Sequence, residues 1–490
     1  MYRTPTRPSA ARRIFRLCLP LLLVVSGWLG IAIRVVSAQA FDAFGVLLRP
    51  EDAITALPGD RSVADCGEAV PEVLALADAI RVALCNNPRT RQAWHEAAAQ
   101  AAQVGVSRGA YLPNVSAGAS ASYDVLRSGT SPADPNHVNG ANLTVSWLLM
   151  DSGARAANVE QAQHNLAGAF AQRDALVQQL FVAAAQAWYE AAAAQAAVHA
   201  ASEAEATAQQ SAEAAEFKSQ RGAATVVDAL QARTAAAQAT LVRVRAQGQA
   251  RTTLGALANV LGVDVRRPLA LAADAALDPG SPLDAVPVDA FLGDLDRLID
   301  EAVAAHPSLQ AARASVAAAE ARLVATRAEG FPTISLTHSN FTNGRPGTTL
   351  PTSRTHERIT AITLNFPIFE GLSRNYRLHE QRAQVEARRA ELAGQQSQVA
   401  YEVWRAYEVL KVESSSLKAS SELMRSAIES LQAARARYQA GAADTIELLN
   451  AQKDEASARQ ERIQALASWR VSRLRLLAGL GRLGFWALDA

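Results

Sequence analysis

Beyond residue 75 the chain alternates between two periodicities, in a fixed order and twice over. Apolar positions recur at three- and four-residue steps from Leu76 to Gly109, the spacing of an amphipathic helix. Pro113 stops that pattern. Two segments, about 114–125 and 141–150, then alternate every second residue and are rich in Ser, Thr and aromatic side chains. They read as two strands of membrane-spanning length joined by an exposed loop. Helical spacing returns at Ala154 and runs to about Ser219 without a proline. At 1.5 Å per residue that helix is about 100 Å long. Val177, Phe181, Ala184 and Trp188 share one of its faces. A turn at Arg221 and Gly222 breaks it, and a return helix ends at Gly262.

The same order recurs. Pro88 matches Pro307, Pro113 matches Pro332, Asp151 and Arg155 match Glu370 and Arg374, and Trp188 matches Tyr407. Gly222 matches Gly441, Asp228 matches Glu447, and Gly262 matches Gly481. Every pair is 219 residues apart. A single offset held across a whole unit marks an internal duplication rather than chance likeness between Ala-rich helices. The copies span 76–262 and 295–481, with the second pair of strands at about 333–343 and 358–369. In each copy the first helix and the return helix together approximate the length of the long one. Two short helices stacked end to end against one long helix make a coiled-coil layer.

The ends and the joint differ in composition. Residues 1–40 carry Arg3, Arg7, Arg12, Arg13 and Arg16, an apolar run from Leu17 to Ile33, and a small-residue Ser-Ala-Gln-Ala stretch. This is the layout of a cleaved signal peptide, with a retained anchor as the rival. Residues 41–75 form an N-terminal segment and 263–294 a Pro-rich acidic one, both reading as linkers or lateral packing segments, and 482–490 a tail. No other segment reaches spanning length as an apolar helix, so a membrane crossing uses strands. Export to an oxidising space permits a disulfide between Cys66 and Cys85; two structural thiols are the alternative. Cys18 precedes most of the apolar run, which disfavours a lipoprotein.

Four strands cannot seal themselves in lipid, where each unpaired N–H or C=O costs several kcal/mol. They are also fewer than the roughly eight a closed barrel needs. The wall is therefore completed by other copies. Two copies give a bore filled by side chains; three give twelve strands.

Net charge is +1, from 48 basic and 47 acidic residues, which argues against a nucleic-acid partner. No P-loop, nucleophile elbow, dinucleotide loop or metal-ligand spacing is present, so neither an enzyme nor a cofactor or metal protein is expected.

The motifs "LADAIRVALCNNPRTR", "YLPNVS" and "FPTIS", "FPIFEG", "RGAATVVDALQAR" and "YQAGAADTIELLNAQ", in order and repeated, resemble the TolC-like outer-membrane factor family. Its members are exit ducts of tripartite drug pumps and type I secretion systems. The resemblance covers almost the whole mature chain. It implies a mainly α fold with a β-barrel portion: a homotrimer with a twelve-stranded barrel in outer-membrane lipid, continuous with a periplasmic helical tunnel. It also implies a periplasmic adaptor protein and an inner-membrane ABC transporter or other pump as partners.

Residue by residue, the resemblance places Asp228, Tyr438, Glu447 and Asn450 in the network that constricts the periplasmic tip, and Gly222 and Gly441 at the adaptor-contacting turns. Three copies would ring the axis with carboxylates, raising their pKa values. Ordinary solvated helix-tip residues are the alternative. The chain departs from the family at Ala443, where an Arg is frequent, and at Val227, where a hydroxyl is common. The expected function is the passive duct of a type I system exporting a protein such as a haemolysin or adenylate-cyclase toxin. Alternatives are a multidrug or metal efflux duct and, remotely, a periplasmic coiled-coil adaptor.

Overall fold

The computed structural model describes residues 42–48, 70–126, 134–272, 294–342 and 355–488. The expected signal peptide, Cys66, most of the segments 41–75 and 263–294, and the two strand-connecting loops lie outside the described residues. Residues 42–47 belong to a separate unit, in which Asp42 accepts hydrogen bonds from the backbone of Phe44 and Leu47.

The duplication is visible element by element. The first copy contains α1 (Leu76–Asn86), α2 (Pro88–Gly109), β2 (Asn114–Leu126), β3 (Asp134–Met150), α3 (Ala154–Gln220) and α4 (Val226–Leu261). The second contains α5 (Leu295–Ala305), α6 (Pro307–Ala328), β5 (Thr333–Thr342), β6 (His356–Asn365), α7 (Ser373–Gln439) and α8 (Thr445–Gly479). Two short strands, β1 (Val73–Leu74) and β4 (Ala270–Leu271), pair in parallel beside the helices.

The opening helix of each copy is broken in two, where one continuous helix was expected. Asn87 and His306 leave the helical conformation, and each accepts a hydrogen bond from the backbone N–H two residues on. Pro88 and Pro307 then occupy the first position of the new helix, where a missing N–H costs nothing. The corners are tightened by close packing. Gly262, at φ +70°, lies so near Asn86 that an added Cβ would sit 2.7 Å from its carbonyl oxygen. Gly481 abuts His306 and Pro307 in the same way.

The helices form four columns. Helix α3 packs against α2 and α4 on one flank and against α6 and α8 on the other. Helix α7 packs on α6 and α8. The order is therefore α2/α4, α3, α6/α8, α7, which matches two short helices to each long one as the lengths predict. Buried positions run in sevens: Ala201, Ala208 and Ala215 on α3, Val403, Leu410, Leu417 and Met424 on α7, and Ala451, Ala458, Ala465 and Ser472 on α8. A strict seven-residue repeat is the seam of a coiled coil.

The seam is uneven. Midway along the columns it is built from Phe181, Trp188, Leu257, Leu261, Leu466, Trp469 and Leu474, all nearly inaccessible. Toward the turns it thins to alanines and one small cluster of Met424, Ala427 and Ala458. Apolar burial stabilises by about 25 cal/mol per Å², so the middle holds the columns together far more strongly than the tips.

The four long strands form one antiparallel sheet in the order β2-β3-β5-β6. The register puts Val115, Val145 and His338 in one row, and Ser116, Thr144 and Ser339 in the next. One face carries Val115, Tyr123, Leu143, Trp147, Leu336, Ile362 and Leu364; the other carries Ser116, Ser120, Thr144, Ser146, Thr337 and Thr363. Among the described residues the outer strands, β2 and β6, are each paired on one side only.

The strand-to-helix corners are made differently in the two copies. Arg155, almost buried, donates to the Asp151 carboxylate (3.0 Å) and to the carbonyls of Leu148 (2.7 Å) and Leu149 (3.3 Å), while its guanidinium lies 4.6 Å from the Tyr111 ring centre. That one side chain ties α2, β3 and α3 together. In the second copy Arg374 instead lies across Gly330, the repeat partner of Tyr111, and Glu370 pairs with Arg377.

Candidate functional site at the helical tips

The two hairpins α3–α4 and α7–α8 end in tight turns whose Gly222 (φ +72°) and Gly441 (φ +74°) adopt the left-handed conformation. In each, the residue after the glycine donates back to the last helical turn: Ala223 to the Lys218 carbonyl and Ala442 to the Arg437 carbonyl, both at 2.8 Å. Both orphan carbonyls and the chain reversal are thus handled as a left-handed helix stop. Nothing approaches an added Cβ at either glycine, so the turns present bare backbone to their surroundings.

The helices that leave these turns start with different caps. In the first hairpin the Thr225 hydroxyl accepts from the Asp228 N–H (3.2 Å), and the Asp228 carboxylate accepts from the Thr225 N–H (3.0 Å) and hydroxyl (2.7 Å). This reciprocal capping box satisfies two orphan donors. The Thr225 hydroxyl and N–H hold the Asp228 carboxyl below its usual value. Within the subunit the shift is therefore opposite to the raised value expected of a carboxylate ring. In the second hairpin the cap is Asp444, whose carboxylate accepts from the Glu447 N–H at 2.8 Å. The Glu447 side chain is left over and makes an ion pair with Arg437 at 3.0 Å.

Tyr438 meets the other hairpin: the Lys218 ammonium sits 4.0 Å from its ring centre, a cation–π contact between α3 and α7. Asn450 lines a groove of about 1080 Å³ between the hairpins, with Val227, Leu230, Leu431, Ile446 and Leu449. Asp228, Tyr438, Glu447 and Asn450 thus lie around the two helical turns, yet among the described residues none of the four hydrogen-bonds another. Further from the turns, Gln452 donates to the Ser211 hydroxyl (3.0 Å), and Arg459 joins Glu203 of α3 to Glu455. Sequence reasoning missed Lys218 and Arg437. Their signal was available: they are 219 residues apart and both lie in the last turn of a long helix.

Cys85, on α1, is disulfide-bonded. Near the strand ends, Trp147 donates from its indole to the Tyr111 carbonyl (2.9 Å), and Phe369 is exposed. Among the described residues there is no group of three metal-capable side chains, and no helix is long and apolar enough to cross a membrane.

The comparisons agree with this architecture. Residues 79–263 and 298–482 each match the outer membrane efflux protein family, so the two matched stretches coincide with the two copies. The chain is 33% identical to "Protein CyaE" of Bordetella pertussis over 85% of its own length and 86% of that protein's. Among solved structures it resembles the open state of the MtrE outer membrane channel of Neisseria gonorrhoeae (TM-score 0.67, 20% identity, 90% of this chain and 97% of that one). It also resembles the outer membrane protein VceC of Vibrio cholerae (TM-score 0.66, 19% identity, 83% and 96%). With both copies matched by the family's pattern and a third of the residues shared with a relative over most of its length, the chain belongs to the outer membrane efflux protein family.

Proposed function

We propose that three copies of this outer-membrane protein close a twelve-stranded barrel continuous with a periplasmic helical tunnel, and that the duct so formed is the exit of a type I secretion system. One observation carries the oligomer: near the helices one face of the sheet is a band of Val115, Val145, Trp147, Ile334, Leu336, Ile362 and Leu364, the opposite face is rich in hydroxyls, and among the described residues both edges are open. An apolar outer face and a wet inner face are what a lipid-embedded barrel requires. Edges cannot be left unpaired in hydrocarbon. The helical columns repeat the logic, since α7 shows an exposed stripe with Tyr401 stacked on Trp404, Val412 and Leu423 at one end of the layer.

The duct is passive, and the driving energy comes from an inner-membrane pump reached through a periplasmic adaptor. The exposed turns at Gly222 and Gly441 are the proposed adaptor contacts, and the carboxylate-bearing tips around Asp228, Tyr438, Glu447 and Asn450 the proposed constriction. Cys66 is the proposed partner of Cys85, which would fasten the N-terminal segment to α1. Secretion is favoured because Cys18 precedes most of the apolar run and the next cysteine is Cys66, a layout unlike the lipid-attached cysteine frequent among dedicated drug-pump ducts. The family's description as efflux proteins supports the second reading, a multidrug or metal efflux duct.

Deleting the gene separates them. Loss of one exported protein from the medium with unchanged drug and metal susceptibility is the expected result. Increased susceptibility with an intact secretome overturns it in favour of efflux.

A further inference from the structure

The repeat places two cations at the same position, Lys218 and Arg437, and the structure gives them different partners. The difference follows from the caps. In the first hairpin Asp228 is engaged by Thr225. The Asp228 carboxylate is turned to its own cap, and the Lys218 ammonium instead reaches across to the Tyr438 ring at 4.0 Å. In the second hairpin Asp444 takes over the capping, which releases Glu447 to Arg437 at 3.0 Å. Arg437 also donates to the Ala442 carbonyl (3.3 Å), so its guanidinium spans the turn that carries Ala443.

Taking the tips as the constriction, we propose that Lys218 and Arg437 are the cationic half of its latch. Lys218 ties the first hairpin to the second within a subunit. Arg437 holds Glu447 against its own hairpin and cancels a charge that would otherwise repel its copies around the axis. Such polar ties matter here because the seam near the turns buries mostly alanine. The tips can therefore part without exposing much apolar surface.

Single-channel conductance of the full-length mature protein in planar bilayers tests the latch. Lys218→Ala and Arg437→Ala should each raise conductance severalfold. Lys218→Arg and Tyr438→Phe, which keep a cation and a ring, should stay near wild type, whereas Tyr438→Ala should behave as Lys218→Ala does. Arg437→Glu should open the channel, and adding Glu447→Arg should close it again, a rescue that a purely structural role does not predict. The double variant Asp228→Ala, Glu447→Ala tests the constriction itself and should also open. If that double variant opens while both cation variants conduct as wild type, the latch is overturned and the constriction stands. If the double variant is also unchanged, the constriction at the tips fails and the latch with it. Failure of the charge swap to restore low conductance overturns the role of Arg437.

Discussion

His306 and Asn87 hold the same position in the two copies, and both cap a helix, but only one of them titrates. The His306 ring accepts the Ser308 N–H on Nδ1 (3.3 Å), with the Ser308 hydroxyl 2.7 Å away. Asn87 accepts the Arg89 N–H through Oδ1 at 2.9 Å. A ring nitrogen can accept only while unprotonated. Burial lowers the His306 pKa below 6.5, opposed by the Glu402 carboxylate. The unfolded chain therefore binds a proton at higher pH than the folded one. The cap's contribution is fully present above 6.5 and is lost as pH falls from there through the folded value. His306→Asn, which copies the first repeat, should keep the cap and flatten this dependence. Melting midpoints of wild type and variant between about pH 8 and pH 5 are the measurement. They should coincide at the upper end and diverge in favour of the variant below. Parallel curves would remove His306 from the acid response.

Element ends carry the next level. Gly262, Gly481, Gly222 and Gly441 all sit at positive φ, but their surroundings differ. At Gly441 a methyl group meets only the backbone penalty, about 1 kcal/mol. At Gly262 it also meets the Asn86 carbonyl at 2.7 Å, where the backbone corner between α1 and α2 must shift. Gly262→Ala should therefore cost at least about 1 kcal/mol more than Gly441→Ala, measured by thermal unfolding in detergent; equal losses would mean the corner yields freely. The same elements show what a sequence discloses. The offset of 219 residues discloses the duplication, and alternation between proline stops discloses four strands in the order the structure has, although β6 ends at Asn365 rather than near 369. The break before Pro88 is masked by apolar spacing that continues across it, although the residue before a proline is disfavoured in a helix and Asn87 is extended in the structure. Strand β3 begins at Asp134 rather than near 141, because Asp-Pro-Asn-His-Val-Asn-Gly reads as loop. Pro135 is tolerated there because β5 joins β3 only from Ala141 onward. At the tips, "TVVD" was legible as a capping box, and the structure gives Asp228 that local duty. Lys218 and Arg437 read as ordinary basic residues complementing a helix C-terminus, since their partners are set by packing between hairpins.

For the whole molecule the question is which edge meets which. Strand β2 begins at Asn114, just after α2, and β6 ends at Asn365, just before α7. Their neighbours alternate in direction throughout, β2 against β3, β3 against β5 and β5 against β6. The two free edges therefore run antiparallel to one another. Joining β6 of one copy to β2 of the next continues the sheet without a change of pattern, and it brings the exposed stripe of α7 to the free flank of the neighbouring α2/α4 column. Such a contact is head-to-tail, so it either closes into a ring or grows without limit; twelve strands at the usual tilt close with an aqueous bore. Cysteines introduced singly along β6 at Ile359, Ala361 and Thr363, mixed with others along β2 at Ser116, Ser120 and Ser122, should form disulfides between copies. Linked pairs should fall on one antiparallel diagonal, so that a step of two residues forward on β6 requires a step of two backward on β2. Cross-linked material carrying both cysteines in one chain should stop at a trimer in denaturing gels. Pairs scattered off any diagonal, a ladder beyond three, or a detergent-solubilised chain that stays monomeric would each refute the ring.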